Sequence, residues 1–166
     1  MAFVLIGFMG AGKSTAAHEL AEEMGVVALD SDALLEEQLG HTVAREFELH
    51  GEAAFREREE QLVCGMLQAA RPHAVIALGG GSVLSERVRQ ALAAHVTVLL
   101  DVDAQTAWER VSGAGGEGSS SAGERPLARE HSAFLALHAR RRELYESLAD
   151  AILPAPPRGG IARALG

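Results

Sequence analysis

Cysteine is nearly absent from this sequence, which has only Cys64 in 166 residues. A single thiol cannot form an internal disulfide, so a disulfide-stabilised fold is excluded and a reducing, cytoplasmic environment is expected. Cys64 falls within the apolar helical pattern of Leu62, Val63, Met66 and Leu67. We therefore predict that Cys64 is a small core residue.

Long apolar runs, a positive charge excess and metal-type histidine spacing are absent too. No apolar stretch approaches the roughly 20 residues of a membrane-spanning helix, and no basic segment of the signal-peptide type is expected. The formal net charge of −8 would repel a phosphate polymer. The seven histidines have neither His-x-x-x-His nor His-Glu-x-x-His spacing, so no zinc site is expected. We expect a single domain, residues 1–166, with no membrane and no nucleic acid as partner.

The most informative motif that is present is Gly-x-x-x-x-Gly-Lys-Ser, with Gly7, Gly12, Lys13 and Ser14 at its fixed positions. In such a loop, backbone N–H groups surround the phosphates of a nucleotide, the lysine reaches the β- and γ-phosphates, and the serine hydroxyl binds Mg²⁺. The apolar run 3–6 predicts a strand before the loop, and a helical pattern begins at Ser14. A glycine-rich turn that only joins strand to helix is the alternative. The complete motif in this context favours a nucleotide-binding P-loop.

Short apolar runs alternate with helical patterns along the chain. The predicted strands are 2–6, 26–29, 74–78, 96–100 and 151–153. The predicted helices are 14–24, 33–39, 43–49, 52–70, 86–93, 104–112 and 129–149. Because the strands are continuously apolar rather than alternating, we expect burial on both faces, as in a parallel sheet covered by helices. The sequence thus predicts an α/β fold.

One segment, residues 113–123, consists almost entirely of Gly, Ser and Ala. This composition is typical of flexible coil. The segment is either a passive surface loop or a mobile lid. Arg110 and Arg125 bracket it, and they favour a lid over about 111–128.

Two carboxylates follow the second predicted strand, in the sequence Asp30-Ser31-Asp32. Residues beyond the carboxyl ends of strands line the binding crevice of an α/β sheet. Two carboxylates there could hold Mg²⁺-bound water and orient or deprotonate an acceptor hydroxyl. The alternative is that Ser31 or Asp32 caps a helix that begins at Ala33. The P-loop favours the functional role.

Three further features are predicted to lie in the same crevice. Arg56 and Glu59 lie three residues apart on one helix, a spacing that usually forms a solvated salt bridge. The glycines 79–81 follow the third predicted strand, and because three exceed what a turn requires, we expect a ligand close to that backbone. The arginine run 140–142 suits a small anionic ligand in an acidic chain.

Together these elements resemble the shikimate kinase family. The family pattern of a basic residue, Glu, apolar positions and three glycines is satisfied by Arg56, Glu59, Val63, Val75, Ile76, Ala77, Gly79, Gly80, Gly81 and Val83. The P-loop, Asp-Ser-Asp, Phe-Arg, Arg-Pro-Leu and Arg-x-x-Leu-Tyr elements occur in the family's order over residues 3–153. Many kinases share the P-loop alone, but the combination is highly specific.

The resemblance implies a fold and an activity. The fold is a P-loop NTPase-type three-layer α/β/α sandwich, with a central five-stranded parallel sheet in the order 2-3-1-4-5 and a mobile lid. The activity is transfer of the γ-phosphate of ATP to the 3-hydroxyl of shikimate, with Mg²⁺, in aromatic amino acid biosynthesis. The partners are then ATP and shikimate, the shikimate-binding region is about 31–60, and a monomer is expected.

The resemblance also implies a role for each matching residue. ATP would be bound by Gly10, Ala11, Gly12, Lys13, Ser14, Thr15, Arg110 and Arg125. Shikimate would be bound by Asp32, Arg56, Gly79, Gly80, Gly81, Arg141, Phe47 and Phe55, with Val43 beside the two phenylalanines. Ser14 and Asp30 would serve the metal, and Glu59 would hold Arg56. Lys13, Asp32 and Arg125 would be catalytic, with Asp32 as the acceptor base.

Two other functions are compatible with parts of the sequence. A gluconate-type carbohydrate kinase would share the P-loop and the size, but the pairing of Phe-Arg with three glycines is not expected there. A non-catalytic nucleotide-binding regulator should have lost Lys13, Asp32 or Arg125, and all three are present. The complete set of motifs favours the kinase.

The lid interpretation predicts that Arg125→Ala lowers kcat by roughly 10³-fold, as loss of an arginine finger does, and changes the Kd for shikimate little. The reason is that the guanidinium would reach the transferring phosphoryl group only when both ligands are bound. Steady-state kinetics and calorimetry measure the two quantities. Near-normal turnover of the variant would mean that 113–123 is a passive insertion.

Overall fold

The computed structural model of the protein describes residues 1–112 and 131–155. Arg125 and residues 113–128 of the proposed lid lie outside the described residues. Within the described part, five strands form one parallel sheet that is flanked by helices, and its strand order 2-3-1-4-5 is the predicted one. The fold is the expected three-layer α/β/α arrangement of a P-loop protein.

The elements follow one another as the apolar runs predict. The strands are β1 (Phe3–Ile6), β2 (Ala28–Asp30), β3 (Val75–Ala77), β4 (Val96–Asp101) and β5 (Ala151–Pro154). The helices are α1 (Lys13–Met24), α2 (Ser31–Leu39), α3 (Val43–Ala69), α4 (Glu86–Leu92), α5 (Ala104–Ser112) and α6 (His131–Leu148), with a short 3₁₀ turn at Ser82–Leu84.

Strand β1 lies at the centre of the sheet. Val4 is opposite Ile76 of β3 on one side and Thr97 of β4 on the other, and all three side chains are almost completely buried. Because every pairing is parallel, the carboxyl ends of the strands lie at the same edge of the sheet. The P-loop after β1, Asp30 at the end of β2 and the glycines after β3 therefore meet at that edge.

The apolar side chains form two separate clusters. The larger one surrounds the sheet and includes Cys64 of α3, which is 8% exposed. This confirms the prediction that the cysteine is a core residue, and burial raises the pKa of its thiol. The smaller cluster contains Leu35, Val43 and Phe55, with Phe47 packed against it, and joins α2 to α3. The acceptor region thus has a small core of its own.

Several boundaries differ from those predicted, among them the following three. The helices expected at 43–49 and 52–70 are one element, α3, with a kink where Gly51 has φ 80° and ψ 173°. Helix α2 begins at Ser31 rather than Ala33, because the carboxylate of Asp30 caps it. Strand β2 begins at Ala28 rather than at 26. No helix of the described residues is long and apolar enough to cross a membrane.

Candidate active site

The P-loop backbone depends on glycine at three positions. Gly7, Gly10 and Gly12 have φ values of 146°, 80° and 83°, which side-chain-bearing residues rarely adopt. A Cβ atom on Gly7 would lie 2.7 Å from the carbonyl oxygen of Leu100, and one on Gly10 would lie 2.7 Å from that of Ala107. The loop is therefore packed tightly between β4 and α5, with no room for a side chain at either contact.

The N-terminus of α1 is built to face an anion. Gly12 is its N-cap residue, so no side chain satisfies the first backbone N–H groups. These groups and the helix dipole favour negative charge at this end. The first turn contains no acidic residue, and the ammonium group of Lys13 donates a hydrogen bond to the carbonyl oxygen of Phe8 at 3.0 Å. The positive charge of Lys13 thus lies over the P-loop.

The carboxylate of Asp30 connects the P-loop to α2. One of its oxygens accepts a hydrogen bond from the Ser14 hydroxyl. The other accepts from the backbone N–H groups of Asp32 at 2.9 Å and Ala33 at 3.1 Å. Asp30, rather than Ser31 or Asp32, therefore caps α2. The Asp32 side chain is therefore not the cap of α2. The contact between Ser14 and Asp30 also brings two potential oxygen ligands together.

A partly buried ion pair in α3 lies beside the glycines that follow β3. Arg56 donates to Glu59 at 2.6 Å, and Glu59, which is 4% exposed, also accepts from the Ser82 hydroxyl at 2.8 Å. The pair is not the solvated one that the spacing usually forms. The guanidinium lies 5.1 Å from the centre of the Phe55 ring. Its Nε atom is buried and makes no hydrogen bond among the described residues, although the exposed Glu52 carboxylate lies 3.6 Å away. A ligand that supplied an acceptor would satisfy this donor.

The three glycines bring the two halves of the site together. A Cβ atom on Gly79 would overlap the Asp32 carboxylate, and one on Gly81 would overlap the Arg56 guanidinium. A Cβ atom on Gly80 would lie 3.2 Å from the backbone nitrogen of Met9 in the P-loop. The small size of these residues therefore lets Asp32, Arg56 and the P-loop approach one backbone segment. The predicted approach of a ligand to this backbone stays a prediction.

The three consecutive arginines of α6 separate in space. Arg142 pairs with Asp101 at 3.0 Å and with Glu146 at 2.7 Å near the surface, and Arg140 is exposed. Arg141 is only 9% exposed, and its guanidinium lies 5.9 Å from the centre of the Phe8 ring of the P-loop. No carboxylate among the described residues pairs with it. Of the three, Arg141 is therefore the one that is directed toward the site.

The other predicted site residues lie at the P-loop, in the smaller apolar cluster or outside the described residues. Arg110 donates to the carbonyl oxygen of Gly10 at 3.0 Å, so α5 places a second cation at the loop. Val43 and Phe55 are buried, and the rings of Phe47 and Phe55 are 4.5 Å apart. Arg125 lies outside the described residues.

Sequence reasoning missed three residues that hold the site in place. The Ser31 hydroxyl accepts from the Gly79 backbone N–H at 2.8 Å, the Ser82 hydroxyl fixes Glu59, and the Tyr145 hydroxyl donates to the carbonyl oxygen of Gly80. Little in the amino-acid sequence indicates these three contacts. Each residue lies beside or within a motif that was recognised, but nothing in the pattern indicates which distant group it contacts.

Comparison with known proteins agrees with this geometry. Residues 9–158 match the family model described as shikimate kinase. The chain belongs to the shikimate kinase family. It is therefore a phosphotransferase that uses ATP, and its P-loop and acceptor side are the two parts that such an enzyme requires.

Individual relatives support the family assignment. The shikimate kinase of Thermobifida fusca is 42% identical over 146 residues, which are 88% of this chain and 80% of that protein. The shikimate kinase of Mycobacterium leprae is 42% identical over 110 residues, 66% of this chain and 54% of that one. Shikimate kinase from Acinetobacter baumannii, solved in complex with shikimate, is similar over 99% of this chain and 87% of its own, with a TM-score of 0.83 and 30% identity.

The contact between Gly81 and Arg56 generates a test of the site. Gly81 has φ −95°, so the backbone accepts alanine, and the added methyl group would displace only the end of the flexible Arg56 side chain. Gly81→Ala is expected to keep its stability and nucleotide affinity while its affinity for shikimate falls on the order of tenfold. Calorimetric titrations with each ligand measure this.

Gly65→Ala is the matched control for that substitution. Gly65 lies inside α3 with no atom within 4 Å of its Cβ position, so alanine should raise the free energy of unfolding by about 0.5–1 kcal/mol. Its shikimate affinity should match that of the wild type. Unchanged shikimate affinity in Gly81→Ala would contradict the proposed place of the acceptor.

Proposed function

We propose that this chain transfers the γ-phosphoryl group of ATP to the 3-hydroxyl of shikimate, which yields shikimate 3-phosphate and ADP on the route to chorismate and the aromatic amino acids. The single observation that carries the proposal is the Arg56 guanidinium beside the glycines, whose Nε atom is buried, makes no hydrogen bond among the described residues and lies 3.6 Å from the exposed Glu52 carboxylate. A small acid whose carboxylate accepts from Arg56 would satisfy that group within reach of the P-loop. Family membership supplies the chemical class of the acceptor.

Arg56 and Arg141 would bind the carboxylate of shikimate. Guanidinium groups bind carboxylates bidentately, and the contact is strong where water is excluded. Glu59 and the Phe55 ring hold Arg56 from two sides, which reduces the entropy lost when the acceptor binds. Arg141 is nearly buried against the P-loop.

The remaining acceptor contacts would come from the glycine backbone and the aromatic pair. Gly79, Gly80 and Gly81 would lie against the ring of shikimate, since no side chain keeps it away. Phe47 and Phe55 would flank the acceptor on the apolar side. This set favours a small cyclic acid over a long or branched acceptor.

Asp32 would act on the reacting hydroxyl. Its carboxylate adjoins Gly79, at the edge of the sheet where the P-loop also lies. As the hydroxyl oxygen bonds to the γ-phosphorus, the bond from that phosphorus to the β-phosphate oxygen breaks, ADP leaves, and the hydroxyl proton passes to Asp32.

The nucleotide would be bound by the P-loop and by arginines. The N–H groups of residues 10–15 and the ammonium of Lys13 would surround the β- and γ-phosphates. Arg110, which already contacts Gly10, would lie against the adenine. Arg125 would neutralise charge on the transferring group from outside the described residues.

The residues present fit a magnesium ion. Ser14 and Asp30 are hard oxygen ligands in hydrogen-bonding contact with each other, and Mg²⁺ is typically held by one or two such groups together with waters and substrate phosphates. Ser14 would bind the metal directly and Asp30 through water. When bound, the ion would neutralise phosphate charge.

We also propose that the enzyme is a monomer in the cytoplasm. The buried thiol of Cys64 is compatible with a reducing compartment.

A coupled assay of ADP release tests the function directly. With Mg²⁺ and ATP, release is expected to depend on shikimate and to remain at background with gluconate or with no acceptor, because only the cyclic acid fits both the arginines and the glycine backbone. Rates that are equal with and without shikimate would rule out the proposed reaction. Faster release with gluconate would favour a carbohydrate kinase.

Arg56→Ala tests the carboxylate contact. The KM for shikimate should rise strongly while nucleotide affinity stays nearly intact, because a charge-assisted contact on the order of 2–3 kcal/mol is lost. Arg45→Ala is the control, since Arg45 lies on the same helix in an exposed pair with Glu48. A variant with lower stability but unchanged shikimate binding would show that Arg56 is only a structural residue.

A further inference from the structure

A completely buried carboxylate lies outside the site described so far. Glu46 in the first half of α3 is 0% exposed. One oxygen of its carboxylate lies 2.7 Å from Nε2 of His41. The other lies 3.0 Å from Nδ1 of His50 and 2.5 Å from the Arg58 guanidinium. We call these four residues the Glu46 cluster.

The Glu46 cluster connects the two sides of the kink in α3. His41 comes from the loop between α2 and α3, and His50 lies one turn after Glu46. Arg58 lies beyond Gly51, where the helix direction changes. No atom lies within 4 Å of the Cβ position of Gly51, so packing at the glycine itself does not set the kink angle. The contact between Glu46 and Arg58 and the packing of Phe47 on Phe55 both cross the kink and can stabilise its angle.

A short series of contacts leads from the cluster to the acceptor side. Phe47, the next residue after Glu46, packs on the ring of Phe55 with centres 4.5 Å apart and planes 33° apart. The guanidinium of Arg56 also contacts Phe55 and lies 5.1 Å from the centre of its ring. A change in the kink angle would therefore move Phe47 against Phe55 and alter the support of Arg56.

We propose that Glu46 is a positioning residue for the acceptor, holding the first half of α3 so that Phe47, Phe55 and Arg56 keep the geometry that binds shikimate. The proposal rests on the proposed function, in which Arg56 receives the shikimate carboxylate. Glu46 itself touches neither substrate nor nucleotide-binding residues.

The charge balance of the cluster supports this role. A buried carboxylate is costly unless it is paired and fully hydrogen-bonded. Burial raises the pKa of Glu46, but hydrogen bonds from His41 and His50 and the charge of Arg58 lower it to a net value below its usual 4.5. Further charged groups near this end of the helix are the exposed pair of Arg45 and Glu48 and Glu36 of α2, which accepts from the backbone N–H of Val43 at 2.9 Å.

The lowered pKa of Glu46 determines the pH range in which its charged carboxylate stabilises the fold. A carboxyl group whose pKa is lower in the folded than in the unfolded chain contributes its full stabilisation above the unfolded value. That contribution is lost as the pH falls through the folded value. At neutral pH the carboxylate is therefore charged and the cluster is intact.

Glu46→Gln tests the proposal, because it keeps the side-chain volume and removes the charge that binds three partners. The KM for shikimate is expected to rise roughly tenfold, the cost of weakened hydrogen bonds to charged groups, while kcat and the KM for ATP stay near wild type. Glu48→Gln is the matched control, since Glu48 lies on the same half of α3 in an exposed pair with Arg45. An unchanged KM for shikimate in Glu46→Gln would overturn the proposal.

Hydrogen exchange provides a readout that needs no substrate. The amides of 44–50 and of Phe55 and Arg56 are expected to exchange faster in Glu46→Gln than in Glu48→Gln. If the wild-type chain does not phosphorylate shikimate, the proposed function is wrong, and exchange alone decides the role of Glu46. Equal exchange in both variants would show that the cluster does not hold this region.

Arg58 provides a second pair of variants if Glu46→Gln does not fold. The side chain of Arg58 is 42% exposed, so its replacement is tolerated more readily. Arg58→Gln should raise the KM for shikimate in the same selective way, and Arg58→Lys should restore most of it by keeping the charge. If both variants behave like the wild type, the contact between Glu46 and Arg58 does not position the acceptor side.

Discussion

A Cβ atom on Gly79 would overlap the carboxylate of Asp32, and one on Gly81 would overlap the guanidinium of Arg56. The candidate site depends on this lack of side chains, because it allows the Asp32 carboxylate, the Arg56 guanidinium and the P-loop to converge on one stretch of backbone. The stretch is held on two sides, by the Ser31 hydroxyl at Gly79 and by the Tyr145 hydroxyl at Gly80. Distant elements, α2 and α6, are thereby joined to the loop after β3. The reacting groups are brought into place by backbone contacts that the fold determines before any ligand binds.

Two arginines lie at the candidate site although the chain as a whole is negatively charged. The protein carries a formal net charge of −8, yet Arg141 is buried and Arg56 is partly buried. Glu59 balances one of them, and the Nε of that arginine makes no hydrogen bond among the described residues. Electrostatic interactions are stronger in such a shielded site than at the surface, so two arginines suffice for a small acid. The same arrangement disfavours a large polyanion, which would meet the acidic surface first.

The acceptor region behaves as a small unit attached to the sheet. It has its own apolar cluster around Leu35, Val43 and Phe55, and its helix α3 turns at Gly51. Glu46 spans that turn with charged contacts, whereas the P-loop is held by tight packing against β4 and α5. The nucleotide side is thus rigid by sterics, and the acceptor side is held by a few directional contacts, which makes its geometry more sensitive to single substitutions.

Local pattern predicted the elements of this fold, because continuous apolar runs, helical periodicity and glycine positions reflect hydrogen bonding and burial within a few residues. It also predicted the P-loop and a pair between Arg56 and Glu59, although not the burial of Glu59, and the family resemblance supplied the strand order. The kink in place of two helices and the capping of α2 by Asp30 were not predicted, since each depends on a choice among nearly equal local conformations. Only the tertiary structure decided which of three consecutive arginines is directed inward. It alone joined Ser31 to Gly79 and Tyr145 to Gly80, pairs that are 48 and 65 residues apart, because such contacts arise from the packing of whole elements and leave no periodic signal in the chain.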